Sequence, residues 1–498
     1  MSFVDSIVAG LSLVGNAESF LALFVGVAIG VVAGAIPGLS ATMAVALTLP
    51  FTFSMTPITG ILLLLGVYKG GIFGGSIPAI LIKTPGTPAS SATILDGYPL
   101  AEKGQAGKAL GMALWASCTA DLISNLSLIL FAGWLASFAL SFGPPEFFAL
   151  ILFSLTIIAG VSGDSLLRGT LSAMLGLLLA TIGLDLIYGT NRFTFGNPNM
   201  MGGLNFIAVL IGLFAIPEII GMVWNPKAHD GKTRSLGDNW VKFQDYKDSF
   251  RSIVRGSFIG VFLGSIPGIG AAPAAFLSYS EARRKSKNKD NFGKGEIEGV
   301  AAAEAGNNGV AGATLIPLLA LGIPGDVITA IILGAFMIHG LQPGPMMFIM
   351  NVDIIYGLFI GLIVSSVFLF FIGSIAIKGF KYVADIPRGV LFPGVMVLCV
   401  YGVYAVNNNL FDVGVMFAMG WVGFLMLRFN VPTAPFLIAF ILGPLLEDNF
   451  RQSMLMSGSS PLILFRGPIT WFFWGLTCIT VVAIARAGIR ATQKGLEA

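Results

Sequence analysis

The chain has 498 residues, 55% of them hydrophobic and only 11% charged, with a mean hydropathy of +0.87 and a formal net charge of +3. Apolar blocks of membrane-spanning length recur from end to end, which excludes a soluble domain, and the small, loop-borne charge offers nothing to nucleic acid. The blocks lack the alternation of outer-membrane strands, so the fold class read here is an all-α polytopic membrane protein.

The N-terminal MSFVDSIVAG carries Asp5 and no basic cluster, so no cleavable signal peptide is expected. Apolar blocks at 18–36 and 39–50 flank GAIPGLSAT (34–42), and the block 57–82 runs from YKGG (68–71) into LIKTPGTPASSAT (81–93). Blocks at 107–140, 146–162, 169–188 and 204–224 follow. The polar stretch 225–251, NPKAHDGKTRSLGDNWVKFQDYKDSFR, reads as a connector. Beyond it, 252–280 contains GSIPGIGAA (264–272), and the blocks 298–322 and 326–340 flank IPGD (323–326). Blocks at 353–384, 388–406, 410–427, 434–447 and 461–486 complete the chain. Several are too short or too broken for a crossing of about 20 residues, so about ten to twelve crossings with re-entrant or broken helices are expected.

The two halves resemble each other. GAIPGLSAT recurs as GSIPGIGAA at an offset of 230 residues, from 34 to 264, and TPGT recurs as IPGD at an offset of 239, from 84 to 323. YKGG then falls opposite NNGV (307–310). This gives a first repeat half 1–224 with motifs at 34–42 and 68–99, a connector 225–251, and a second half 252–498 with motifs at 264–272 and 304–329. Loop charge sets their relative orientation. TLPFTFSMTP (48–57) has no basic residue, whereas RRKSKNKDNFGK (283–294) has six; DGYPLAEKGQAGK (96–108) has Lys103 and Lys108, whereas HGLQPGPMMF (339–348) has none. Equivalent loops therefore fall on opposite sides, which makes the repeats inverted, the architecture of secondary transporters with substrate at the midplane. The tail with Arg486, Arg490 and Lys494 is expected in the cytoplasm.

Proline and glycine inside apolar blocks free backbone groups that lipid cannot satisfy, so matched breaks at 36–38, 85–88, 266–268 and 323–326 imply a polar centre. Half-helix N-termini there would face an anion and unwound carbonyls a cation. The candidate substrate residues are Gly38, Ser40, Ser76, Thr84, Pro85, Gly86, Thr87, Pro88, Ser90, Asn307, Asn308, Pro324 and Gly325, with Lys83 as a possible counter-charge or a snorkelling anchor. Glu304, Asp326 and Asn307 are the candidates for ion coupling. Lys69 is read either as a partner of the anion or as a lysine at the rim. Asp96 is read as an interfacial turn or cap residue. Asp121, Asp164, Asp185, Glu218 and Asp353 are left without a role. Cys118, Cys399 and Cys478 are too far apart for a metal or disulfide framework, and His229 and His339 do not pair, so no metal or organic cofactor is expected beyond Na+ or H+ as coupling ion. Hydrolase, HExxH and Walker signatures are absent. A passive anion channel, an intramembrane serine hydrolase using Lys69 or Lys83, and a substrate-free scaffold stand as alternatives.

GAIPGLSAT, GGSIPAILIKTPGTPASSATILDGYPLAEKG, EGVAAAEAGNNGVAGATLIPLLALGIPGD and LGPLLEDNFRQS together resemble the large membrane subunit of the tripartite tricarboxylate transporters. The resemblance covers essentially the whole chain. It implies a bacterial inner-membrane importer of citrate or another small carboxylate, coupled to Na+ or H+, with a small membrane subunit of about four helices and a periplasmic solute-binding protein as partners. It carries over onto Gly38, Pro85, Gly86, Thr87, Pro88, Asp96, Gly97, Glu304, Asn307, Asn308, Pro324 and Gly325. Lys69 stands where a tyrosine or a small residue would be expected. An elevator-like movement of the domain that holds both motif pairs against the remaining helices is the mechanism this organisation suggests.

Overall fold

The computed structural model describes residues 3–161, 165–185, 188–224, 236–237, 239–384 and 388–496; of these, the side chains of Phe3, 222–223, 381–384, 388–390 and 487–496 are left aside. Asp164, His229 and residues 225–235 and 238 of the connector lie outside the described residues. Among the described residues, seven helices are long and apolar enough to cross a membrane and six more are apolar but shorter. Strand among the described residues is confined to a two-residue pairing, and the chain is an all-α polytopic membrane protein. Large apolar side chains such as Leu130, Trp134, Ile375, Trp471 and Ile479 are exposed, as a lipid-facing surface requires.

Two compact units emerge, and neither follows the sequence halves: one comprises Met1–Ala136, Glu218–Ile266 and Gly270–Gly402, the other Ser137–Pro217, Pro267–Ile269 and Val403–Ala498. The first unit begins with α1 (Phe3–Gly15), α2 (Ala17–Ala35), α3 (Ala41–Thr48), α4 (Pro57–Gly74), α5 (Ser76–Ile82), α6 (Ser91–Glu102) and most of α7 (Ala106–Ala139). The second begins with α8 (Pro144–Val161), α9 (Leu166–Ala180), β1 (Gly183–Leu184), β2 (Asn191–Arg192) and most of α10 (Phe206–Trp224). The first unit then adds α11 (Phe243–Gly264), α12 (Ala271–Lys285), α13 (Ile297–Ala313), α14 (Leu315–Leu321), α15 (Val327–Ile338), α16 (Met347–Met350), α17 (Val352–Ala384) and most of α18 (Arg388–Asn407). The second closes with α19 (Leu410–Arg428), α20 (Thr433–Met456) and α21 (Pro468–Leu496).

The connector is shorter than its polarity suggests. Residues from Phe243 onward form the first turns of α11, because Asp245 accepts the Lys242 backbone N–H at 2.9 Å and pairs with Lys108 at 2.7 Å. A charged segment thus becomes a capped helix start.

Within the first unit, α2 packs on α4 and α11 on α13 through glycine. A Cβ on Gly30 would stand 2.2 Å from the Val67 carbonyl oxygen, and one on Gly70 would stand 2.3 Å from that of Val27. Gly260 and Gly309 play the same part between α11 and α13, each within 2.7 Å of a facing carbonyl oxygen if given a Cβ. In lipid there is no hydrophobic gain from association, so such close backbone approach supplies the packing. Gly30→Ala forces these helices apart, and overpacking of this kind costs about 1–3 kcal/mol; thermal unfolding of the purified protein in detergent should show a lower midpoint for G30A, and an unchanged midpoint would contradict the contact.

Candidate functional site

The 239-residue offset carries one local structure onto another. α4 gives way to α5 at Gly75, and α13 gives way to α14 at Thr314, which is Gly75 shifted by that register. α5 ends on Lys83 with φ +60°, and α14 ends on its counterpart Gly322 with φ +72°. The next N–H reaches back to the same place in each: Thr84 to the Pro78 carbonyl at 3.3 Å, Ile323 to that of Pro317 at 3.2 Å. These are the closing bonds of a left-handed helix stop, which glycine enters without strain and lysine does not.

Each break then makes the same reciprocal exchange of hydrogen bonds, in the turn ahead of α6 at the first and as the capping box of α15 at the second. Thr87 N–H donates to Ser90 Oγ at 3.1 Å and Ser90 N–H to Thr87 Oγ1 at 3.3 Å. The register partners repeat the exchange: Asp326 N–H donates to Thr329 Oγ1 at 2.8 Å and Thr329 N–H to Asp326 Oδ1 at 2.7 Å. Such reciprocal caps satisfy N–H groups that a helix start leaves open. Gly86 is fixed by approach: its N–H meets the Gly75 carbonyl at 3.1 Å, and a Cβ on it would stand 2.3 Å from the Gly34 carbonyl oxygen. That contact brings the motif at 34–42 onto the motif at 84–88. Gly38 has φ +95° between α2 and α3, Gly268 has φ +86° at the equivalent place, and Ser40 caps α3 by accepting the Met43 N–H at 3.1 Å. Gly325, after Pro324, lies as close to Thr314 as Gly86 does to Gly75.

Polar side chains gather between the breaks. Glu304 on α13 is fully buried, and its carboxylate accepts hydrogen bonds from Ser76 at 2.6 Å, Thr93, Ser117 at 3.0 Å and the Asn308 amide at 3.3 Å. Donors from α5, α6 and α7 thus close on one acid of α13, so the hydroxyls of Ser76 and Thr93 and the amide of Asn308 are already engaged. Tyr68 on α4 crosses to the other copy's break, its hydroxyl donating to Asp326 Oδ2 at 3.0 Å and lying 3.2 Å from Thr314 Oγ1. Asn307, the register partner of Tyr68, is different. It is 1% exposed, and neither its Oδ1 nor its Nδ2 has a hydrogen-bond partner. Buried polar atoms without partners are costly, so this amide calls for a partner that the chain itself does not supply, whether water, an ion or a ligand.

Lys69 and Asp96 fall elsewhere than their sequence reading. Lys69 neither snorkels nor faces a substrate: it is 1% exposed, with Nζ at 3.0 Å from both oxygens of Asp121, 2.9 Å from Asn125 Oδ1 and 3.1 Å from the Leu362 carbonyl. Ser366 donates to the same Asp121 at 2.5 Å, so α4, α7 and α17 are joined through one buried ion pair. Asp96 is not a turn residue, because α6 continues through Pro99 to Glu102. Fully buried, its Oδ1 accepts the backbone N–H groups of Gly293, Gly295 and Glu296 at 2.8, 2.8 and 2.9 Å, while Oδ2 takes the Tyr279 hydroxyl at 2.8 Å. The basic loop before α13 is thereby pinned to α6. Lys83 is exposed, with Nζ 5.4 Å from the centre of the Tyr98 ring. In the second unit, Asp185, left without a role by sequence, joins Arg192, Glu447 and Arg451 in one charged network, with Arg451 to Asp185 at 2.7 Å and Arg192 to Glu447 at 2.6 Å.

Sequence reading missed Tyr68, Ser117 and Thr314 and gave Asp121 no role, whereas Thr93, one of the hydroxyls flanking the first break, donates to a carboxylate as its type and place suggest. The register held the signal for Tyr68 and Thr314, since both are partners of positions within the motifs; nothing local marks Ser117 or Asp121 among apolar neighbours.

Residues 20–438 match the family described as the tripartite tricarboxylate transporter TctA family. The chain is 35% identical over 486 residues to an uncharacterized 52.8 kDa protein in the TAR-I ttuC' 3' region of Agrobacterium vitis, covering 97% of each chain. It is also 35% identical over 234 residues to an uncharacterized protein in the TAR-II ttuC' 3' region of the same organism, covering 47% of this chain and 97% of that one. No solved structure matches.

Removing one partner of a buried ion pair strands the other, at a cost of about 3–5 kcal/mol, whereas replacing both with apolar groups is nearly neutral. Lys69→Met and Asp121→Leu should therefore each lower the unfolding midpoint more than the double variant does, and a double variant less stable than either single one would contradict the assignment. Asp96→Ala should release the loop at 288–296 and speed tryptic cleavage at Lys289 and Lys294; an unchanged cleavage rate would contradict its role as a pin.

Proposed function

The chain belongs to the tripartite tricarboxylate transporter TctA family, a family of systems with a small membrane subunit and a solute-binding protein; from that premise we propose that it imports a small carboxylate, citrate being the model substrate, across the bacterial inner membrane, driven by a Na+ or H+ gradient. The observation that carries this reading is the pair of matched helix breaks together with a buried amide, Asn307, that has no partner among the described residues. A carboxylate needs donors and no competing negative charge: Asn307 offers an amide with no partner, and the hydroxyls of Thr84, Thr87 and Ser90 would turn to the substrate from the local bonds they make at the first break. Gly38, Pro85, Gly86, Pro88, Pro324 and Gly325 shape the backbone around that place, and Ser40 caps the helix after the first motif. Ser76 and Asn308 act through Glu304.

Glu304 and Asp326 are the acids proposed to serve the coupling ion. Both are held by hydroxyl donors rather than by a lysine or arginine, so a cation or proton can answer their charge. Lys83 is proposed to add positive potential at the mouth of the first break. The two copies are proposed to be inverted repeats, with the unit that contains both breaks as the body that moves in an elevator-like alternation of access. The partners are a small membrane subunit of about four helices and a periplasmic solute-binding protein that delivers the carboxylate; the C-terminal tail faces the cytoplasm.

Thr87→Val removes a hydroxyl, and Asn307→Leu removes both unpartnered amide atoms at nearly constant volume. Each variant should lose at least about tenfold of citrate uptake into proteoliposomes containing the whole system, as expected for one hydrogen bond to a charged ligand, while yield and assembly remain close to wild type. Normal uptake by both would contradict the site.

A further inference from the structure

We propose, building on the carboxylate-transport reading, that the site is one-sided: a substrate carboxylate binds only at the first break, in the place that the second break fills with its own Asp326 carboxylate. Four register pairs carry this inference: Thr87 with Asp326, Ser90 with Thr329, Gly75 with Thr314, and Asn307 with Tyr68. The second break is complete in itself. The Asp326 carboxylate sits at the start of α15, where Oδ1 accepts the Thr329 N–H at 2.7 Å and hydroxyl at 2.8 Å, and Oδ2 accepts the Tyr68 hydroxyl at 3.0 Å. The chain thus displays how a carboxylate is held by a helix restart on one side and a donor from the opposite copy on the other.

At the first break every one of those parts is replaced by something smaller or neutral. Thr87 brings a hydroxyl in place of a carboxylate, and Gly75 has no side chain where Thr314 offers an oxygen. Tyr68 reaches Thr314 and Asp326 from the opposite copy; applied in reverse, the same register would turn Asn307, on the helix that packs against α6, toward Gly75 and Thr87. Asn307 is shorter than tyrosine, is 1% exposed, and has both polar atoms unpartnered. The first break therefore lacks the carboxylate: the Ser90 N–H and hydroxyl, counterparts of the Thr329 donors, turn to Thr87's own oxygens, and of the four pairs Asn307 keeps polar atoms without a partner among the described residues. Access differs in the same sense: Lys83, Pro85 and Pro88 are exposed at the first break, whereas Gly322, Ile323, Pro324 and Gly325 are buried at the second. Charge agrees as well. Asp326 repels a second anion at its own break, and Glu304, one turn from Asn307, is enclosed by four donors of its own.

The alternative is a substrate that bridges the breaks with one carboxylate at each. The double variant T87D/N307Y separates the two, because it gives the first break the pair of side chains that the second carries and so a carboxylate of its own. Full-length protein in nanodiscs is titrated with a panel of di- and tricarboxylates from succinate to citrate, alongside uptake by the reconstituted system. The expected result is binding by wild type and at least about a hundredfold loss in T87D/N307Y, with its size-exclusion profile unchanged. Binding within threefold of wild type overturns the one-sided site while leaving carboxylate transport intact; wild type that binds and transports none of the panel overturns both. If T87D/N307Y does not assemble, Asn307→Asp takes its place, placing a like charge beside the substrate: a KM raised at least about tenfold is the expected result, and an unchanged KM overturns the inference.

Discussion

A backbone that stops being helical inside a membrane must find partners for its N–H and C=O groups within the protein, and this constraint governs the first compact unit. The solution at residues 83–90 is used again at 322–329: a left-handed helix stop, a glycine pressed against the preceding helix junction, and a reciprocal pair of hydrogen bonds ahead of or at the start of the next helix. Once the backbone is satisfied in this manner, polar side chains can gather around it without facing lipid. The glycine contacts between α2 and α4, and between α11 and α13, hold the scaffold tightly enough for the breaks to keep their geometry.

The buried charges divide into two kinds. Lys69 with Asp121, and Asp96 with the N–H groups of the 293–296 loop, meet opposite charge or donors from the chain itself and tie its elements together. Asn307 is unanswered, and Asp326 is answered only by neutral donors. A transporter needs both kinds, because a site that changes its occupant must be framed by contacts that do not change. The identities of Tyr68 and Asn307 break the likeness between the two copies where the substrate would be expected to meet them.

Much of this was legible in the sequence. Hydropathy gave the fold class, and the PG pairs marked the breaks because only those residues combine a missing N–H with left-handed freedom. The 239-residue register also contained the match of Thr87 to Asp326. Three features were not legible. The start of α11 was hidden by its charge, since Lys108 and Asp245 resemble connector residues until they pair. Lys69 was misread because its partner lies 52 positions away on α7. The enclosure of Glu304 depends on hydroxyls from three other helices, and no spacing in one segment announces it.

The central claim is that the chain moves a carboxylate using an ion gradient and a delivering protein. It is tested most directly by uptake of labelled citrate into proteoliposomes that contain the large subunit with or without its small subunit and binding protein, with Na+ and H+ gradients imposed or collapsed in turn. The account predicts accumulation only with all components and one of the two gradients. Uptake by the large subunit alone, unaffected by ionophores, would contradict it.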